Sequence, residues 1–380
     1  MAFRLLGTGD NHFDLHRRFS ECIRVHDWMV ELARDAKVDA FVSTGDLYEK
    51  GSVPEERQAT AEWTTRMAEV AAGLFVKGNH DLPRDVELLR RLRTKHPVTV
   101  EEGADVHYIA GAAIAAIAWP ERAAMLAAAG SIEGTEALVR EALQHVFRGL
   151  GAKLAAHDGP RIGVGHMMID GSIASTNQPL LGLPINVSLA DLALLNAHVG
   201  FVGHIHRRQR FDAFGAPWMY TGSPYRTDQS QTEPKSVVLV EFDGQRLVSI
   251  EEIETPATPM AHLEGGWDAE SAALKIEQHG NLAGHEIRIR YNVAPDQQEQ
   301  AKAAADALKQ TLLDAGVAAV KMEPVVIAQT RARAPEVSAA TSLADKLEAH
   351  WRSIGFDPGD RRDPMLSLVA DVEKEARSAA

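Results

Sequence analysis

Five times along this chain a short apolar run ends in a glycine followed at once by Asp, Asn or His: Gly9-Asp10, Gly45-Asp46, Gly78-Asn79, Gly165-His166 and Gly203-His204. The runs are Phe3-Arg4-Leu5-Leu6, Val38-Asp39-Ala40-Phe41-Val42, Leu74-Phe75-Val76, Arg161-Ile162-Gly163-Val164 and His198-Val199-Gly200-Phe201-Val202, each reading as a buried strand. Glycine supplies 29 of the 380 residues, so five such coincidences at five strand ends are not chance. Glycine lets the backbone turn sharply and admits a bulky neighbour, and the carboxyl ends of sheet strands face the crevice where ligands bind. All five ends are expected to converge on one point.

Helical spacing fills the intervals, as in Ser20 to Ala36 and Glu133 to Leu154, and a further strand, Ser236 to Phe242, precedes the turn at Asp243-Gly244. This alternation implies an α/β or layered-sheet domain, and the length implies two or three folded units. Around Glu254-Thr255-Pro256-Ala257-Thr258-Pro259 the composition turns to Pro and Thr, which marks a boundary. Beyond it a strand at Glu286 to Val293, an Ala-rich helix from about Asp296 to Ala315 and a strand from about Val317 to Ile327 make one β-α-β unit. A second boundary falls near Arg331-Ala332-Arg333-Ala334-Pro335. Past it, Ser342 to Ile354 sets Leu343, Leu347, Trp351 and Ile354 on one helical face, and a last short helix carries Leu366, Val369 and Val372. The expected units are 1–254, 255–334 and 335–380.

Two strand ends offer a second polar residue two positions on, in Asp10-Asn11-His12 and His204-Ile205-His206, where side chains i and i+2 of extended backbone share a face. Asp10, His12, Asp46, Asn79, His166, His204 and His206 are then seven candidate metal ligands. That is too many for one tetrahedral ion and suits two ions sharing a carboxylate. With one cysteine, Cys22, the chain has no intrachain disulfide and no thiolate cluster; Cys22 reads as a small buried residue of the first long helix. Imidazole, carboxylate and amide suit Mn, Fe or Zn, with Mg less favoured.

In order, the blocks Asp10-x-His12, Gly45-Asp46, Gly78-Asn79-His80-Asp81, Gly165-His166 and Gly203-His204-Ile205-His206 resemble the motifs of the calcineurin-like metallophosphoesterases. The resemblance implies an α/β (α+β) fold: a layered β-sandwich core flanked by helices, with a smaller α/β cap domain and C-terminal helices. It places Asp10, His12 and His206 on a first metal, Asn79, His166 and His204 on a second, and Asp46 across both. The cofactor it implies is a pair of divalent ions, Mn2+ foremost, with Fe, Zn or Mg as alternatives. His80 is implied beside the scissile phosphate as acid or charge stabiliser, its ring oriented by Asp81. The implied reaction is hydrolysis by in-line displacement, with the cations acidifying water and offsetting charge.

Residues outside the metal motifs narrow the likeness. Gly45-Asp46-Leu47-Tyr48, Gly165-His166-Met167-Met168-Ile169-Asp170-Gly171, and Tyr220-Thr221-Gly222-Ser223-Pro224-Tyr225-Arg226 with Lys235 to Glu241 resemble the SbcD-type nuclease subunits of DNA double-strand-break repair complexes over about the first 250 residues. The later β-α-β unit is similar to that family's DNA-capping domain in size and position, and the C-terminal helices to the segment that grips the coiled coil of its ATPase partner. Glu49 departs from the family, where His or Asp is usual, and so does Phe13-Asp14, where a small residue is common. The implied activity is a two-metal DNA exonuclease or endonuclease acting at ends in break repair or recombination, as a homodimer joined to an SbcC-like SMC-type ATPase.

Charge and hydropathy set limits on that expectation. Forty Lys+Arg against 53 Asp+Glu leave a net charge of -13, so attraction to DNA has to be local rather than an overall field. Arg84, Arg207 and Arg208, with Arg17, Arg18 and Arg210, are expected to guide backbone phosphates. His16, His26, His96, His107 and His157 have no motif partner and read as surface or satisfied core histidines. The longest apolar stretch, Ile109 to Trp119, is too short for a bilayer, and the N-terminal run reaches Asp10 before a signal core forms, so the expectation is a cytoplasmic protein without a membrane partner. Two other readings stay open: a stand-alone phosphodiesterase for a small nucleotide or lipid-linked substrate, and a non-catalytic DNA-binding or scaffold subunit.

Overall fold

The apolar runs fold into two six-stranded sheets. In a computed structural model, which describes residues 2–128, 136–178, 180, 184–277, 280–327 and 335–378, the first sheet runs in the order Arg246–Glu254, Ser236–Asp243, Ala2–Thr8, Ala40–Ser43, Ala72–Val76, Val98–Glu101. Its last four strands are parallel, and Ser236–Asp243 joins Ala2–Thr8 antiparallel. The second sheet runs Gln209–Ala213, Ala216–Tyr220, Val199–Gly203, Arg161–His166, Ala112–Ile117, Ala104–Ile109, with its inner four strands parallel. Parallel strands covered on both faces need continuous apolar runs, which is how these segments read.

Leu5, Val42 and Leu74 of one sheet meet Ile114, Val164 and Phe201 of the other in a shared core. On the outer face of the first sheet, Phe41 and Phe75 pack against Val25 and Met29 of helix Phe19–Asp35 and Trp63 and Met67 of helix Pro54–Val70. On the outer face of the second, Ile117 and Trp218 pack against Val139, Leu143 and Phe147 of helix Glu136–Ala155. The layers are therefore helices, sheet, sheet, helices, the expected sandwich. The expected start of that last helix at Glu133 lies outside the described residues, as does the expected boundary at 331–334.

The chain divides into two compact units, one of Met1–Leu263, Gln278–Ile289 and Gln310–Lys321, the other of Glu264–Glu277, Arg290–Lys309 and Met322–Ala380. The expected β-α-β segment is present as strand Glu286–Val293, helix Gln298–Asp314 and strand Ala319–Val326. Two further strands, Met260–Asp268 and Ala273–Ile276, complete a four-stranded sheet. Ala301 and Ala305 of the helix pack on Tyr291 and Val293. Near the C-terminus, the Ser342 hydroxyl accepts the Asp345 N–H at 3.0 Å and starts helix Leu343–Ile354, which ends at left-handed Gly355. Its expected apolar stripe is split, with Trp351 buried and Leu343 and Ile354 exposed. Among the described residues, no helix is long and apolar enough to cross a membrane.

One side chain explains two glycines inside the second sheet. Gly200 sits in register with Gly163 on one side and Trp218 on the other. A Cβ at Gly163 would stand 2.3 Å from the buried Trp218 ring and one at Gly200 2.1 Å from it, so the indole lies flat over two neighbouring strands. Gly200→Ala is expected to overpack this layer and cost about 1–3 kcal/mol. Urea unfolding monitored by fluorescence checks it as a lower midpoint with an unchanged slope.

Candidate metal centre

Every parallel strand that carries a motif delivers it at its carboxyl end, and backbone hydrogen bonds lash those ends together. Asp10 N–H donates to the Gly45 carbonyl at 3.0 Å, His12 N–H to that of Asp46 at 3.0 Å, and Phe13 N–H to that of Leu47 at 2.7 Å. The expectation of extended backbone at Asp10-Asn11-His12 does not hold. Asp10 (φ 48), His12 (φ 42), Asp46 (φ 49) and His204 (φ 102) all have positive φ. L-residues avoid this region at a cost of about 1–3 kcal/mol each, and the cross-loop bonds enforce it. Gly78 answers a different need: a Cβ there would stand 2.1 Å from Asp46 Oδ1.

Six of the seven sequence-predicted residues come together as two adjoining groups, and the seventh, Asn79, lies against the second. Asp10, His12 and His206 form one and Asp46, His166 and His204 the other, all buried, each with ligand atoms within 4.8 Å of one another. His12 Nε2 and His206 Nε2 lie 2.9 Å apart. Asn79 Oδ1 lies 2.9 Å from both His166 Nε2 and His204 Nδ1, and Asp46 Oδ2 lies 3.3 Å from His166 Nε2. His166 donates Nδ1–H to the Thr44 carbonyl at 2.7 Å, which turns Nε2 inward. The indole of Trp119 covers His204, ring centroids 4.8 Å apart.

The electrostatics are those of buried opposite charges. Burial pushes the His166 imidazole down, but Asp46 outweighs it and raises the pKa to about 9. Burial would raise Asp46, yet His166 above all holds it well below the usual carboxylate range. Burial and then His166 lower His204 to about 3; burial and then His12 hold His206 well below its ordinary value.

His80 donates its backbone N–H to Asp46 Oδ1 at 2.9 Å and its ring Nδ1–H to the Glu49 carbonyl at 2.6 Å, leaving Nε2 for the cavity. The expected ring partner, Asp81, is employed elsewhere. Its carboxylate accepts the N–H groups of Leu47 at 2.8 Å, Tyr48 at 3.2 Å and Gly78 at 2.9 Å, so it shapes the loops and not the ring. Burial and then Asp46 raise its pKa to about 6.

A cavity of about 150 Å³ opens here, lined by His12, Asp46, His80, His204 and His206 together with Arg17, Glu49 and Gln178. Of the arginines expected to meet phosphate, Arg17 is in this lining. Arg84, Arg207 and Arg208 are not: Arg208 Nε pairs with Glu252 at 2.9 Å, and the Arg84 side chain is 75% exposed. Arg18 is engaged by Glu21 and Glu286. Sequence reasoning missed Gln178, whose amide donates to the His204 carbonyl at 2.5 Å and accepts from His206 N–H at 3.0 Å. It also missed Thr227 and Gln231, 3.3 and 3.4 Å from His206 Nδ1. The buried Lys235 ammonium donates to the His206 carbonyl at 3.2 Å.

A family model for calcineurin-like phosphoesterase matches residues 3–208, just over half of the chain. The chain belongs to this family. Two curated relatives, the SbcD subunits of the nuclease SbcCD from Escherichia coli strains K12 and O157:H7, are each 25% identical over 299 residues, covering 72% of this chain and 74% of theirs. Among solved structures, the chain is similar to a dimetal phosphatase from Danio rerio at 13% identity and TM-score 0.42, covering 66% of this chain and 96% of that one. A Thermus thermophilus protein matches at 14% identity and TM-score 0.40, covering 64% of this chain and 99% of its own.

As a calcineurin-like phosphoesterase the chain is a metal-dependent phosphoester hydrolase, and its residues fit divalent ions. Buried Asp10 Oδ2 and His204 Nε2 have no hydrogen-bond partner among the described residues, a costly state for a group able to bind a cation. The donors are hard-to-borderline oxygen and nitrogen atoms, as such ions require.

The loops around this phosphoesterase centre can be tested in two places. Asp81→Asn turns an amide donor toward one of three backbone donors, so it is expected to cost about 1–3 kcal/mol and to lower turnover of a model phosphodiester. Denaturant midpoints and steady-state rates read both effects. Beneath the first loop, buried His26 donates Nδ1–H to the Cys22 carbonyl at 2.7 Å, with Nε2 3.1 Å from Asn11 Oδ1, and burial lowers its pKa from 6.5 to about 3. Folding thus depresses the pKa, so this stabilisation is complete above about pH 6.5 and is lost as pH falls from there toward 3. In His26→Gln the fall in urea midpoint between about pH 7 and about pH 5 is expected to be smaller than in the wild type.

Proposed function

We propose that this phosphoesterase is the nuclease subunit of a DNA-end-processing complex, a two-metal DNA exonuclease or endonuclease serving break repair or recombination. The observation that carries the reading is the pair of buried groups, linked where Asp10 accepts the His204 N–H and with Asn79 beside the second, facing a cavity into which His80 presents Nε2. In this reading Asp10, His12 and His206 hold one ion, Asn79, His166 and His204 hold the other, and Asp46 serves both. Manganese is the ion proposed. Bound divalent cations supply Lewis-acid activation of water and neutralise a phosphoryl group in an in-line displacement. His80, its Nδ1–H fixed on the Glu49 carbonyl, presents Nε2 as proton donor to the departing oxygen or as partner for its charge. Trp119 and the sheet cores keep bulk water from the back of the site.

DNA as substrate is supported by the two relatives named as nuclease subunits, whose likeness extends over 72% of the chain and so beyond the family-model match. A small phosphodiester needs no second unit, whereas 255–334 as a DNA cap and 335–380 as the docking segment for an SbcC-like SMC-type ATPase give the later chain a use. The working form proposed is a cytoplasmic homodimer.

Incubated with manganese, the protein is expected to release nucleotides from linear duplex DNA. His80→Ala is expected to lose about 10²- to 10⁴-fold in turnover while calorimetry still counts two bound ions. Hydrolysis of cyclic nucleotides with none of DNA would transfer the chain to the stand-alone phosphodiesterases.

A further inference from the structure

Glu49 departs from the residues usual at its position, and the structure gives both its side chain and its main chain a partner. Its carboxylate Oε2 lies 3.0 Å from His12 Nδ1, and its other oxygen lies 3.5 Å from Arg17 Nη1. Its backbone carbonyl accepts the His80 Nδ1–H at 2.6 Å. The His12 and His80 rings meet edge to face with centroids 5.4 Å apart, so this one residue borders two imidazoles of the same wall.

The geometry of His12 leaves little choice of tautomer. Its Nε2 faces His206 Nε2 at 2.9 Å, so Nε2 is the nitrogen that can share an ion with Asp10 and His206. A neutral imidazole that coordinates through one nitrogen carries its proton on the other, and it needs an acceptor there to fix the ring. The Glu49 carboxylate, 3.0 Å from Nδ1, stands where that acceptor is needed.

We propose that Glu49 is the positioning residue of the Asp10–His12–His206 ion site, holding His12 by its Nδ1–H so that Nε2 faces the ion. The inference rests on the two-ion reading above and deepens it by assigning one ion a supporting carboxylate. The His80 bond uses the main chain, so substituting the side chain removes the His12 and Arg17 contacts and leaves His80 held.

Manganese binding measured by isothermal calorimetry tests this. Wild-type protein is expected to bind two ions, and Glu49→Ala to weaken one of them by about 10- to 100-fold while sparing the other. Glu49→Gln, whose amide oxygen still accepts the Nδ1–H, is expected to recover most of that affinity, which a loss of packing would not show. In His206→Ala protein, whose remaining ion sits with Asn79, His166 and His204, adding Glu49→Ala should change nothing. Two unaltered sites in Glu49→Ala, or equal weakening of both, would overturn the assignment. Fewer than two ions in the wild type would instead remove the reading on which it rests.

Discussion

Hydrogen bonds cross from one sheet to the other at the mouth of the sandwich, and the site hangs on them. Asp10, which follows the first strand of one sheet, accepts the His204 N–H at 2.8 Å from the other. His166 of the second sheet donates to the Thr44 carbonyl of the first at 2.7 Å. Both are buried, where a lost partner leaves an unsatisfied group and a cost of about 1–3 kcal/mol. Because they join the sheets directly, the spacing of the sheets and the spacing of the candidate ligands are one quantity. The apolar layer of Leu5, Val42, Leu74, Ile114 and Phe201 sets it from below.

Strain collects at the same place. Four of the seven candidate ligands hold positive φ, a conformation that local sterics oppose and that survives only where neighbours over-determine it. Here the neighbours are the backbone ladder from Asp10, His12 and Phe13 to Gly45, Asp46 and Leu47, and the three N–H groups gathered by Asp81. Folding energy from the sheets is spent on holding side chains in positions that no isolated loop would keep. Gln178 extends the same restraint outward by gripping the backbone on both sides of Ile205.

Much of this was legible in the sequence, for a physical reason. A parallel strand between two layers must be short and apolar, and its carboxyl end must turn, so glycine and a polar residue stand side by side where function begins. What escaped followed other rules. Ala112–Ile117 is a fully buried strand, but its four alanines carry no strand preference. Met260–Asp268 contains Gly265 and Gly266, which blur alternation. Gln178, Thr227 and Gln231 act from loops, where a polar side chain has no periodicity to betray it. Arg84 and Arg208 looked suitable by type and proximity in sequence, yet the fold turns Arg208 to Glu252 and leaves Arg84 out of the cavity lining.

The bond that aims His80 is made by the main chain of Glu49, and a main-chain carbonyl is present whatever residue stands there. Selection can therefore alter the side chain at this position without touching the His80 ring that lines the cavity. Such a site is a natural dial, one on which a lineage can trade His, Asp or Glu while the neighbouring imidazole stays aligned.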